Sequence, residues 1–468
     1  MGNGELPEAW DLGARGNGVL PSRVLPRVAF AAFGRPTFDL HLAESVLADS
    51  RRALESLPIE VVSRSDLLTS VDQAEAFGRS LASVQLDAVI CQFTTFVDAR
   101  FVAAVCSGGD WPVVLWSLRE PSAVGERLLL NSLTGANMAG QQLRRMGRMC
   151  SFVLGNPTEA AFGPRLMPTL RAAAVRRALR GLSVAVFGKT PDGFTFSEPD
   201  PANMARIGVN LHYIDLEQVF AEASALDDGA VAAAVDGLRR DVRGVEHVAS
   251  EQLRRAAALE TVVMRHVEAT GAQATCVRCW PEFFTTYGAA ACSFVSALNE
   301  RGIASACEAD VLGSVTMDVL SRFAEGPAYL GDLVEVREED DLVVFWHCGA
   351  GAFSLASPET GAQAGVHPNR QVGLTMEFAL RPGPVTIARF GECADGLRLL
   401  VSGGEVLARP QRFLGTAATV RLNAPGSALD KVREWIEGGW EPHYALVYGD
   451  VRAELRELGR MLGIVVAQ

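Results

Sequence analysis

The chain has 468 residues, of which 49% are hydrophobic and 21% charged, and a formal net charge of −12. That length corresponds to about three ordinary domains, and the acidic balance offers a phosphate backbone nothing to bind, which weighs against nucleic-acid partners. Lys189 and Lys431 are the only lysines, so Schiff-base chemistry would have to use one of those two.

Met1 to Arg15 carries no apolar segment of the secretory type, and no run of about 18 uncharged apolar residues occurs. The nine cysteines are scattered and odd in number. These features predict a reduced, cytoplasmic protein with no membrane partner.

Residues 1–22 are rich in Gly and Pro, lack periodicity and read as a tail. From Arg27 an apolar run ends in Gly-Arg-Pro and leads into a helical stretch from about Leu40. IEVVSR, LDAVICQF and PVVLWSL read as further strands, with Val71–Val84 as a helix between the first two. Alternating strands and helices predict a doubly wound first domain over 23–165.

A second block repeats the pattern. LSVAVFG, GVNLHYID and ATCVRCW read as strands, and residues 216–270 as long helices. This predicts a second doubly wound α/β domain over 166–334. From about Glu335 short strands follow one another, LVVFWHCGA, VGLTMEFAL, PVTIARF, LRLLVSGGEVLA and AATVRL, with two closing helices. That texture predicts a mainly antiparallel, barrel-like C-terminal domain over 335–468. The fold class expected is α/β: two doubly wound α/β domains followed by that barrel.

Four residues stand out as candidate chemistry. Glu308 lies in ASACEADVLGSVTM, Asp332 in AYLGDLVEV, His347 in VVFWHCGAG and His443 in GGWEPHYALVYGD. A carboxylate in an apolar run is costly unless something offsets its charge, and a divalent cation does so. Two carboxylates with imidazoles form a mixed O/N donor set suited to Mn²⁺, Co²⁺ or Fe²⁺. Taken singly, each residue also has an ordinary reading: a paired acid, a turn cap or a satisfied core histidine.

The ordered segments CWPEFF (279–284), ACEADVLGSVTM (306–317), GDLVEV (331–336), WHCGAG (346–351), GPVTIARF (383–390) and HYALVYGD (443–450) resemble the second half of the L-fucose isomerase/L-arabinose isomerase-like family. LWSLREP (115–121) and LLLNSLTGANMAGQQLRRMG (128–147) resemble its first half. The resemblance implies three domains, a homo-oligomer (a hexamer), and a divalent metal, usually Mn²⁺, near the junction of the second and third domains. It places the metal carboxylates on Glu308 and Asp332 and metal histidines on His443 and His347.

The implied activity is interconversion of an unphosphorylated aldose and its ketose through an enediol. Glu308 and Asp332 would share the proton transfers, and which of them serves C1/C2 stays open. Pro442 departs from the family, which usually has a polar residue before the histidine. That opens an alternative, an isomerase of a modified sugar such as sulfoquinovose; a non-catalytic sugar-binding protein is the other.

Three weaker signals remain. Trp116, Arg119 and Glu120 end a strand, and Trp116 and Arg119, with His367 in GVHPNR, suit sugar contacts. Gly188-Lys189-Thr190 ends like a phosphate loop, but the frame's first glycine would fall at Ser183, and Pro191 opposes a helix there. Cys276 and Cys279 form C-x-x-C in a strand-like run and read as structural thiols.

Overall fold

A computed structural model describes residues 25–468; the expected tail at 1–22 lies outside them. Three sheets follow one another along the chain. β1 (Arg27–Phe33), β2 (Glu60–Leu68), β3 (Ala88–Phe93), β4 (Val113–Ser117) and β5 (Cys150–Leu154) form a parallel sheet in the order β2-β1-β3-β4-β5. Helices join every pair of consecutive strands. The run Val28 to Phe33 is apolar throughout because it is buried on both sides. Val28, Phe30 and Ala32 enter one core cluster, and Ala29, Ala31 and Phe33 the other.

β6 (Ser183–Phe187), β7 (Asn210–Ile214), β8 (Ala274–Val277) and β9 (Ala304–Cys307) form a second parallel sheet, ordered β7-β6-β8-β9. The long helical patterns of 216–270 resolve into helices Leu216–Ser224, Asp228–Asp241 and Ser250–Thr270. The first two begin at Asp215 and Asp227, whose side chains accept from backbone N–H groups of the first turn.

The third sheet has nine strands: β10 (Tyr329–Arg337), β11 (Leu342–His347), β12 (Gln363–Gly365), β13 (Thr375–Ala379), β14 (Gly383–Cys393), β15 (Gly396–Val406), β16 (Thr416–Leu422), β17 (His443–Tyr448) and β18 (Val465–Ala467). The order β16-β11-β10-β17-β14-β15 closes through β15–β16 pairing into a six-stranded antiparallel barrel, with the others as extra strands. This is the mixed α/β class with a terminal barrel that the sequence predicts.

Asp332, expected within the second α/β domain over 166–334, belongs to a strand of the barrel sheet. It lies in β10, directly opposite His443 of β17. The pair Gly331-Asp332 interrupts the apolar run and hides a strand that the backbone ladder still uses. The second sheet and the barrel share their two core clusters, which contain Phe187, Phe345 and Leu446 in one and Val184, Ala388 and Ala445 in the other. Residues at the carboxyl edge of that sheet are thereby held against the barrel wall.

Candidate active site

Glu308 and Ala309 follow β9 with φ of 57° and 56°, left-handed values that non-glycine residues seldom adopt. This turn leads to Asp310, the N-cap of helix Val311–Ala324, whose side chain accepts from the Gly313 N–H at 2.8 Å. Asp332 and His443 come from neighbouring barrel strands in direct register, and side chains so paired lie close on one face. His347 ends β11 on the other side of β10.

The four residues predicted for the site converge. His443 Nε2 lies 3.2 Å from Glu308 Oε2 and 3.5 Å from Asp332 Oδ1. Asp332, His347 and His443 each bring one ligand-capable atom within 4.8 Å of the others. Glu308, Asp332 and His347 line a cavity of about 250 Å³ whose walls include Phe194, Trp280 and Phe284. The Nε2 atoms of both histidines are buried without a hydrogen-bond partner. Buried imidazole nitrogens are rarely left so, which marks them as places for a ligand.

Asp310 was not singled out in the sequence, yet it organises the site. It is fully buried, and its Oδ2 accepts from His443 Nδ1 at 2.8 Å and from Arg389 at 2.5 Å. Burial opposes its charge, but the Arg389 guanidinium and the His443 contact outweigh that and hold its carboxyl well below the usual carboxylate range. An ionised Asp310 makes Nδ1 of His443 the donor, so the neutral ring, the form that a bound cation would select, has its lone pair on Nε2 toward Glu308 and Asp332. In the sequence an Asp before an apolar helix reads only as a cap; the signal for more was Arg389, a charge inside the strand GPVTIARF.

Charges in the site favour a cation. Burial works against protonated His443, but its hydrogen bond to Asp310 and the charges of Glu308 and Asp332 raise it to about 9. His347 rises to about 10 against the same burial, through Cys348, Asp332 and Glu308. Burial raises Asp332, with Glu308 adding to the effect and both histidines opposing it. The two imidazoles differ in one respect. His347 Nδ1 accepts the Cys348 N–H at 3.0 Å, so its neutral ring carries the proton on Nε2 and faces a ligand as a donor.

The remaining candidates separate. His367 lines the cavity and meets the Phe284 ring edge-on at 4.9 Å. Trp116 is fully buried, stacks on Phe162 at 4.2 Å and donates its indole N–H to the Gly155 carbonyl at 2.8 Å, so it has no face or donor left for a sugar. Arg119 lies outside the cavity lining and is bound to Glu159 at 2.7 Å. Lys189 and Thr190 line a different groove, and no α-helix follows them. All nine cysteines are free. Cys276 is buried in β8, while Cys279 reaches the cavity wall with Cys292 and Cys348, whose sulfurs are 3.6 Å apart.

Comparison with known proteins gives this site a context. The chain is 41% identical over 439 residues to a sulfoquinovose isomerase of Priestia aryabhattai, covering 93% of this chain and 98% of that protein. Proteins of the same name from Alkalicoccus urumqiensis and Clostridium sp. (strain MSTE9) are 40% and 37% identical; the matches cover 94% and 93% of this chain and 99% and 97% of those proteins. No family model matches. A solved glucose-galactose binding protein from Geobacillus stearothermophilus aligns with 64% of this chain and 92% of its own at 14% identity, with a TM-score of 0.18, which carries no argument. The near-complete relatives make the chain a sugar isomerase of the aldose–ketose kind. It belongs to the sulfoquinovose isomerase family. The alternative of a modified sugar is thereby favoured over the L-fucose- or L-arabinose-type aldose that the resemblance put first.

Proposed function

We propose that this chain interconverts sulfoquinovose, a hexose with a sulfonate on C6, and the corresponding ketose by moving a proton between C1 and C2. One observation carries the reading: in a chain 41% identical to a sulfoquinovose isomerase, Glu308, Asp332 and His347 line one sugar-sized cavity, with buried His443 directly against the two carboxylates. Binding alone would not require paired acids, which disfavours a sugar-binding protein without turnover.

The residues fit a divalent metal. Glu308, Asp332 and His443 offer two carboxylates and an unpartnered Nε2, an O/N set suited to Mn²⁺, with Asp310 behind His443 as its orienting carboxylate. His347 completes the cluster, but its tautomer suits it better to donate a hydrogen bond to a sugar oxygen. When bound, a divalent ion would supply Lewis-acid polarisation of the sugar's O1 and O2. The chain's own part is the proton. Glu308, held by its left-handed turn, and Asp332, raised by burial, are the candidates to take it from one carbon and return it to the next.

The ordered motifs further support kinship with the L-fucose and L-arabinose isomerases, a homo-oligomeric assembly and a cytoplasmic setting for the nine free thiols. Among the described residues no helix is long and apolar enough to cross a membrane. The test is direct: sulfoquinovose is incubated with the Mn²⁺-supplemented protein in D₂O and followed by NMR. Ketose formation with deuterium entering at C1 or C2 is expected. An unchanged sugar would reject the substrate, and conversion without any exchange would argue against transfer through an exchangeable acid.

A further inference from the structure

Between β12 and β13 the chain makes a tight hairpin loop. The His367 N–H donates to the Val372 carbonyl, and the His367 carbonyl accepts from both Arg370 and Gln371. Gln371 sits at φ 55° and ties its side chain back to the Pro368 carbonyl at 2.8 Å. At the base of the loop Gly373 accepts from the Ala290 N–H, and its own N–H reaches the Gln252 side chain. The loop is thus fixed by its own backbone, and it presents His367, Asn369 and Arg370 to the cavity that Glu308 and Asp332 also line.

Among the described residues Arg370 is the only arginine or lysine in that lining. Other arginines around the site are committed: Arg389 to Asp310, and Arg278 to Glu282 at 2.9 Å. Among the described residues the Arg370 guanidinium has no carboxylate and no hydrogen-bond partner; its contact is with the Phe284 ring, 6.0 Å from the centroid. An uncommitted guanidinium in the cavity can donate to the hydroxyls of a neutral sugar, but it gains most from a charged partner. It has a clear use for an anionic one, because its planar fork matches a tetrahedral oxyanion with two parallel N–H···O bonds. Asn369 can add an amide donor and His367 a ring N–H.

We propose that the 367–370 loop is the sulfonate-recognition element, with Arg370 binding the anionic end of the substrate while Glu308 and Asp332 act at its C1/C2 end. This rests on the sulfoquinovose reading above. It also assigns the loop a role in specificity: its free guanidinium favours an anionic sugar over a neutral one.

The test compares wild type with Arg370→Gln and Arg370→Lys on sulfoquinovose under Mn²⁺ supplementation, with thermal melting as a fold control. Arg370 is exposed in a turn, so all three should melt alike. Arg370→Gln should lose about 10–100-fold in kcat/KM, the size of one lost charge-assisted contact, with the loss falling in KM. Arg370→Lys should recover part of it, since charge survives without the fork. A KM for Arg370→Gln within about twofold of wild type, or a loss confined to kcat, would overturn the assignment while leaving the isomerase reading intact. A wild type that leaves sulfoquinovose untouched would overturn both.

Discussion

At the carboxyl edge of the first parallel sheet the polar groups that the sequence singles out are answered from within. Trp116 donates to Gly155, and Arg119 is held by Glu159. Glu120 accepts from the backbone of Leu129, Leu130 and Asn131 and so pins the following loop. At the same edge of the second sheet the answers stop. Glu308 stands in a left-handed turn, and beside it the His347 Nε2 is buried without a hydrogen-bond partner, while the His443 Nε2 faces only the carboxylates of Glu308 and Asp332. The two sheets share one winding rule, a central first strand with its successors on either side. Their difference lies in satisfaction. A polar edge whose hydrogen bonds close on themselves is structure, and one left open over a cavity is a site.

The sharpest way to break this contrast is to remove what the open edge is held to bind. Exhaustive chelation should abolish turnover, and Mn²⁺ or Co²⁺ should restore it. Full activity in protein shown free of metal by elemental analysis would end the metal reading and leave the unpartnered nitrogens to the sugar alone. Next in size is Glu308→Gln, which keeps shape and one oxygen but removes the proton acceptor. Turnover should fall at least about 10²-fold, the lower end for a general base, with the melting temperature little changed. Asp332→Asn should act similarly. Near-normal C1/C2 deuterium exchange in one variant would pass the base role to the other acid.

Asp310→Asn sharpens the contrast from behind the site. Asparagine caps a helix as well as aspartate, so the change removes charge rather than the cap. Metal affinity, read by Mn²⁺ titration, should weaken about 10–100-fold through the loss of the orienting carboxylate. Stability should fall by about 3–5 kcal/mol, because Arg389 is left buried with its nearest remaining acid, Glu441, 3.9 Å away. The pH dependence has a definite sign. A carboxyl depressed in the folded state contributes its full stability above the ordinary aspartate value of about 3.9 and loses it as pH falls toward the folded value. Wild type should therefore show a steeper acid limb in denaturant melts below about pH 4 than Asp310→Asn; equal limbs would mean that the buried triad adds nothing to stability.

Much of this was legible in the sequence, and the failures have one cause. The convergence of Glu308, Asp332 and His443 was readable because charged or titratable groups in apolar runs demand a partner, and the ordered motifs grouped them. Asp310 was not, because one carboxylate serves two roles and the nearer, capping role explains it fully from local sequence. The place of Asp332 in the barrel was not legible because Gly331 and Asp332 interrupt the apolar run and one of the strand's two partners, at His443, lies more than 100 residues away. Trp116 and Arg119 looked open in the sequence because a polar strand end reads the same whether its hydrogen bonds are satisfied or not. Their partners, Gly155 and Glu159, lie 39 and 40 residues along the chain.

The smallest predicted effect on catalysis tests that last point. Trp116→Phe keeps most of the ring against Phe162 but removes the indole N–H, and the Gly155 carbonyl is left buried without its donor. The loss should destabilise the chain by about 1–3 kcal/mol, measured by urea denaturation, with a further contribution from the smaller ring in a closed core. Activity should not follow. Nothing in the cavity touches Trp116, so kcat and KM for the sugar should stay at wild-type values at temperatures where the variant is folded, and Arg119→Ala should match it without the stability cost. A rise in KM in either variant, with the fold intact, would show that the closed edge of the first sheet does reach a substrate, and satisfaction of hydrogen bonds would then fail as the criterion that separates the two sheets.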